Sequence, residues 1–207
     1  ALPLSSGTSV ALIGDLADTP RYQGAGSSQV NPTRLETPRE LLEAGGESAR
    51  GLVLTGYAPG YERHGGTSDA LIAEAVALAA RADVALVYVG LDELAESEGL
   101  DRTHMRLPEG QDRLIEAVVA TNPRTIVVLT GGSSVEMPWA SSVPALVNGY
   151  LGGQGGAGAM LDVLTGVVNP SGRLAETYAR SLEDHPTAAW YPATGPLSYY
   201  REGPFIG

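Results

Sequence analysis

The stretch "ADVALVYVGLDELAESEGLDR", residues 82–102, decides the fold. Its apolar part, VALVYVG at 84–90, runs for seven residues without polar alternation, the pattern of a strand covered on both faces. Gly90 ends the run, and a long loop crowded with ionisable groups follows: Glu96, Glu98 and Asp101, then Arg102 and His104. On either side lie helical patterns. Residues 67–83 place Leu71, Ile72, Ala75, Val76, Leu78 and Ala79 at helical spacing behind Thr67 or Ser68 as a cap, and residues 107–123 repeat the pattern with Leu114, Ile115, Val118 and Val119. A second apolar strand, RTIVVLTGG at 124–132, comes next.

The alternation continues outward in both directions. Upstream, SVALIG (9–14) and GLVLT (51–55) read as strands, separated by a long Gly, Ser and Pro loop and by TPRELLEAGGES (37–48). That last segment is a short helix with Thr37 as N-cap, Pro38 at the first helical position, Glu40 three residues on, and a Gly pair as terminator. Downstream come a strand in VPALVNGYLGG (143–153), a helix in GGAGAMLDVLTGVVNPSG (155–172) with NPSG as its closing turn, and an extended run RLAETY (173–178). Alternation of strand and helix of this kind predicts an α/β fold: a three-layer α/β/α sandwich with a mainly parallel sheet, one domain over residues 1–207. In such sheets ligands bind beyond the carboxyl ends of the strands, which singles out the loops 15–33, 91–106, 131–139 and 152–156.

Composition removes whole classes of chemistry. The 207 residues contain no Cys, which excludes disulfide frameworks, thiolate metal sites and cysteine nucleophiles and leaves the compartment open. All 13 basic residues are Arg, which excludes a lysine Schiff base and a P-loop lysine. Against 24 acidic residues they leave a net charge of −11, which repels nucleic acid and anionic lipid. No apolar run approaches the roughly 18 residues of a membrane span, and the N-terminus has no basic leader region.

Each candidate site has a plain structural counterpart. A carboxyl on the loop after a buried strand can be tuned into a general acid by desolvation or a neighbouring charge, but a charged loop can equally be a solvated surface whose Asp101 and Arg102 pair elsewhere or cap the next helix. GGSSVEMPW (131–139) lacks the Gly-x-Ser-x-Gly elbow of serine hydrolases, so its glycines read as a tight turn. LGGQGGAG (151–158) precedes a helix but lacks the dinucleotide spacing, which favours a packing turn over a phosphate cradle. His64, His104 and His185 are far apart and match no metal-ligand spacing. Tyr57, Tyr61, Trp139, Trp190, Tyr191, Tyr199 and Tyr200 suit sugar stacking, with core or surface packing as the ordinary alternative. Read residue by residue, three functions stay open: part of an enzyme, a non-catalytic carbohydrate-binding or interaction module, and a nucleotide-binding α/β domain.

Taken together, several stretches resemble the second domain of family 3 glycoside hydrolases, the β-glucosidase group. These are VALIGDLADTPRYQGAGSSQVNPTR (10–34), ADVALVYVGLDELAESEGLDRTHMRLPEGQDRLIEAV (82–118), NPRTIVVLTGGSSVEMPW (122–139), YLGGQGGAGAMLDVLTGVVNPSGRLAETY (150–178) and YYREGPFIG (199–207), in the family's order. The resemblance implies an active site shared with a (β/α)8-type barrel domain that carries an Asp nucleophile and acts on a β-glucoside or oligosaccharide, without metal or cofactor. It implies that Glu98, in SEGLDR, is the general acid/base, and that Asp101 and Arg102 steady its loop. No Ser-Asp-Trp nucleophile motif occurs, so the chain is expected to be one module of a longer arrangement and inactive alone.

Overall fold

The computed structural model describes residues 2–197 together with Tyr199 and Arg201. Five parallel strands, β1 (Ser9–Ile13), β2 (Val53–Ala58), β3 (Val84–Gly90), β4 (Thr125–Thr130) and β5 (Ala145–Asn148), form one sheet in the order β2-β1-β3-β4-β5. Helices α1 (Pro38–Ala44), α2 (Asp69–Ala79) and α3 (Glu109–Thr121) connect β1 to β2, β2 to β3 and β3 to β4, and α4 (Gly156–Thr165) follows β5.

The unbroken apolar runs are explained by two cores. Because side chains alternate along a strand, Ala85, Val87 and Val89 of β3 join Ala75, Leu78, Leu114, Ile115 and Val118 of α2 and α3 on one face. Val84, Leu86 and Tyr88 join Leu42 of α1 and Leu161 and Leu164 of α4 on the other. Every residue of β3 is buried. Covering each of its large apolar side chains is worth about 1.5–3 kcal/mol. The α/β/α sandwich expected from the alternation is therefore the observed architecture.

Local signals account for the helix starts. Thr37 accepts from the Glu40 amide at 3.1 Å while the Glu40 carboxylate accepts from the Thr37 amide, the reciprocal cap legible in TPRE. Ser68, not Thr67, caps α2. Two boundaries differ from expectation. The strand read at 51–55 begins at Val53 and continues to Ala58, since Arg50 (φ 54°) and Gly51 (φ 78°) occupy left-handed turn conformations. Helix α4 stops at Thr165, where Gly166 (φ 77°) provides a left-handed C-cap three residues before NPSG. The run RLAETY pairs with no strand. Its Ala175 amide donates to the Tyr150 hydroxyl at 3.0 Å, and the Tyr178 hydroxyl accepts from Asn148 at 2.6 Å.

Strand β3 projects beyond the end of β1, so its last backbone groups have no strand partner on that side. Side chains take over. The Tyr61 hydroxyl donates to Tyr88 O at 3.0 Å, and the buried Gln111 amide both accepts from Gly90 N at 2.8 Å and donates to Gly90 O at 3.0 Å. The order in which strands are added reverses between β1, from which the chain goes outward to β2, and β3, from which it goes outward the other way to β4 and β5. The loops after β1 and β3 consequently face one another at the switch point of the sheet.

Candidate active site

Both switch-point loops start under tight constraint. Gly14 leaves β1 at φ 114°, where a Cβ would lie 2.0 Å from Tyr88 O, so only glycine lets the two backbones pass so closely. The loop then delivers Arg21, which is buried. Its guanidinium donates to Leu91 O at 3.2 Å, to Glu96 O at 2.9 Å and to the Glu96 carboxylate. The same carboxylate accepts from the Gly132 amide at 2.8 Å and from the Ser133 hydroxyl, on the loop after β4. Burial pushes the Glu96 carboxyl upward, but Ser133, Gly132 and Arg21 outweigh it and hold it below the ordinary carboxylate value.

Two residues on, Glu98 stands exposed at the tip of the β3 loop. One carboxylate oxygen accepts from the Ser27 amide at 2.8 Å and from the Ser27 hydroxyl, and its own amide donates to Ala25 O at 3.4 Å. Gly26 (φ 101°) makes the approach possible, since a Cβ there would sit 2.7 Å from the Glu98 Cβ. With two donors aimed at its ionised form, Glu98 is held below the usual carboxylate range.

Asp101 and Arg102 go separate ways: none of the described ion pairs joins them. Arg102 donates to Ser133 Oγ at 3.0 Å and Ser134 O at 2.8 Å, tying the β3 loop to the β4 loop a second time. Its Nη2 is buried without a partner, and desolvation lowers its pKa. Asp101 is exposed and bonds the Tyr191 hydroxyl, whose pKa is raised by partial desolvation and by that bond. A cleft of about 470 Å³ lies beside this segment, lined by Glu96, Leu100, Arg102, His104 and Tyr191 among others. Glu98 lines none of the described clefts; it faces the β1 loop instead.

A second charged group flanks the site. Arg63, after β2, bridges Asp15 at 2.6 Å and Glu93 at 3.0 Å, while His64 Nδ1 lies 3.0 Å from Asp92, whose other oxygen accepts from the Leu94 and Ala95 amides. The Gly-rich turn at 151–158 packs closely, with Gly153 N donating to Tyr22 O at 2.9 Å. Tyr61 and Trp139 are core residues, and the Trp139 indole donates to Asp112 at 2.8 Å. Trp190, Tyr191 and Tyr199 are exposed, with Arg201 stacked 4.2 Å from the Trp190 ring; Tyr200 lies outside the described residues. Among the described residues no cluster of three or more His, Asp or Glu is arranged to hold a metal ion, and no helix is long and apolar enough to cross a membrane.

Sequence patterns placed Glu96, Glu98, Asp101 and Arg102 on one loop and the resemblance singled out Glu98, but neither showed that Arg21 holds Glu96 or that Ser27 holds Glu98. The available signal was the loop GAGSS, whose glycine spacing announces a close backbone approach without naming its partner.

An α/β sandwich with an exposed carboxylate at its switch point is a scaffold used by many chemistries. Comparison with known proteins narrows it. The chain matches the glycosyl hydrolase family 3 C-terminal domain over residues 1–207, and it belongs to that family. It is 46% identical over its whole length to thermostable beta-glucosidase B of Acetivibrio thermocellus and 39% identical to an exo-alpha-(1->6)-L-arabinopyranosidase of Bifidobacterium breve. The crystal structure of the Bifidobacterium adolescentis GH3 beta-glucosidase superposes with a TM-score of 0.84 at 40% identity, covering 92% of this chain and 27% of that one. The chain spans 27% of the length of both curated relatives, so those proteins contain further domains.

Proposed function

We propose that this chain, as a single domain over residues 1–207, supplies the general acid/base Glu98 to a retaining β-glycosidase whose nucleophile, an Asp, comes from a (β/α)8-type barrel domain. The substrate is a terminal, non-reducing β-linked glucose. The observation carrying the proposal is the exposed position of Glu98 on the β3 loop, at the carboxyl end of the sheet and within SEGLDR, the segment that resembles the family's acid/base loop.

A retaining site needs two carboxyls about 5–5.5 Å apart. One attacks the anomeric carbon as the other gives its proton to the departing oxygen. The second then takes a proton from water, and the resulting hydroxide displaces the enzyme carboxylate. Glu98 performs the proton transfers. For the first step it must be protonated, whereas Ser27 holds it anionic in this domain. The barrel therefore acts in two ways, supplying the nucleophile and, through that carboxylate's negative charge, raising the proton affinity of Glu98. Arg102, tied to Ser133 and Ser134, and Asp101 support the loop. Similarity to both a glucosidase and an arabinopyranosidase agrees with a sugar ring gripped mainly by the other domain.

The test joins this chain to a family 3 barrel domain and measures aryl β-glucoside hydrolysis. The chain alone is expected to be inactive. Glu98→Ala in the joined protein is expected to lose about 10²–10⁴-fold in kcat/KM on poor leaving groups, and on an activated aryl glucoside, where breakdown of the glycosyl enzyme limits kcat, azide is expected to restore turnover as glycosyl azide. Undiminished activity in that variant, or a loss that azide leaves untouched, would remove Glu98 from the role.

A further inference from the structure

We propose that Arg21 and Glu96 form a positioning pair for the acid/base, a device that rests on the role given to Glu98 above and adds residues to it. Arg21 is 6% exposed and spends its bonds on one short segment, Leu91 O at its root and both the carbonyl and carboxylate of Glu96 farther along. The Glu96 carboxylate then uses both oxygens to hold the loop after β4, one on the Gly132 amide and one on the Ser133 hydroxyl. Gly132 is matched to this contact, because a Cβ there would lie 3.2 Å from both carboxylate oxygens. One ion pair thus locks together the loops after β1, β3 and β4, and Glu98 leaves that lock only two residues later.

Geometry and charge both follow. Outside the lock, the Glu98 carboxylate is held by Ser27 alone, a contact it must give up to protonate a leaving group. Once that contact opens, the path of the chain through Glu96 decides where the carboxyl can reach. Displacement by about 1 Å is enough to cost ~10²-fold in proton transfer. Arg21 also cancels the charge of Glu96, so the proton affinity of Glu98 answers to the nucleophile opposite and not to its neighbour in sequence. A fork-shaped guanidinium suits this work, since it engages a carbonyl and a carboxylate of the same residue at once.

The experiment uses the chain joined to its barrel domain and compares Glu96→Gln, Arg21→Met, Ser133→Ala and Glu98→Ala. The readout is kcat/KM, which reports the first bond-breaking step, on cellobiose and on 2,4-dinitrophenyl β-glucoside. The activated phenol leaves without a proton, so only the disaccharide senses a misplaced acid. Glu96→Gln and Arg21→Met are expected to lose roughly 10–100-fold on cellobiose and less than about threefold on the dinitrophenyl glucoside, with the basic limb of the pH profile displaced. Ser133→Ala removes one of the bonds to Glu96 and should show the same selectivity on a smaller scale, which keeps the proposal open to refutation if the ion-pair variants fold poorly. Equal losses on both substrates would mean a merely structural pair and overturn the proposal. So would unchanged kinetics in the pair variants while Glu98→Ala shows its selective loss. Should Glu98→Ala itself show none, it is the underlying role of Glu98 that falls.

Discussion

Ser27 donates its amide and its hydroxyl to one oxygen of Glu98, and both bonds favour the charged carboxylate. Deleting the hydroxyl by Ser27→Ala removes the larger of the two effects that lower this pKa, so the folded value rises toward that of a free glutamate. A general acid works only while protonated. The basic limb of kcat/KM in the joined protein should therefore move to higher pH in Ser27→Ala, and the variant should be more active on the alkaline side. A limb that stays in place, or moves down, would show that the Ser27 contact is absent in the assembled site. The pattern of a buried strand followed by an acidic loop brought up Glu96, Glu98 and Asp101 alike, and the family resemblance alone singled out Glu98. Ser27 was not legible, because 71 residues separate the partners and nothing in GAGSS states which loop it will meet.

At the scale of elements, the most readable feature was the strand that carries this loop. Seven apolar residues without alternation can only be buried on both faces, and β3 spans the same seven, 84–90. What periodicity does not show is how an overhanging strand end is satisfied. Gln111 sits on the buried side of α3 and would read as an error in the apolar pattern, yet its amide completes both backbone groups of Gly90. Gln111→Leu should leave a buried N–H and C=O unpaired, at about 1–3 kcal/mol each. Urea unfolding is expected to show a lower midpoint at unchanged slope. A loss below about 1 kcal/mol would mean that water replaces the amide there. Gly14→Ala should be worse tolerated than any exposed glycine substitution, since the added methyl meets backbone 2.0 Å away. RLAETY, read as an extended run, joins no strand: its Tyr178 hydroxyl accepts from Asn148 of β5 and its Ala175 amide donates to the Tyr150 hydroxyl beyond that strand.

Across the whole molecule, ionisable groups gather where the strands end. Asp15, Arg21, Arg63, His64, Asp92, Glu93 and Glu96 all follow β1, β2 or β3 and are linked by ion pairs or, between His64 and Asp92, by a hydrogen bond. Alternation of elements pointed to this end as the place for ligand binding, but not to the pH-dependent stability gathered there. Glu93 is held low mainly by its bond to Arg63, and Glu96 by Ser133, Gly132 and Arg21 against the opposing effect of burial. A carboxylate whose folded pKa lies below its unfolded value, about 4.3 for Glu, contributes stability that is complete above that value and is lost as pH falls through the folded one. Acid should therefore destabilise the domain from about pH 5 downward. Asp112 works the other way, because burial raises its pKa and the native state binds that proton more readily than the unfolded chain. Protonation also relieves the repulsion of a −11 net charge, an effect nearly equal in any single-site variant. The difference between wild type and Glu96→Gln isolates the local contribution. At pH 7 the variant should melt lower, since Arg21 keeps a buried charge without its partner. Between about pH 5 and pH 3 the two melting temperatures should converge, because wild type forfeits the ion pair that the variant never had. Parallel curves over that range would show that Glu96 keeps its charge throughout, or that its ionisation is worth nothing to the fold.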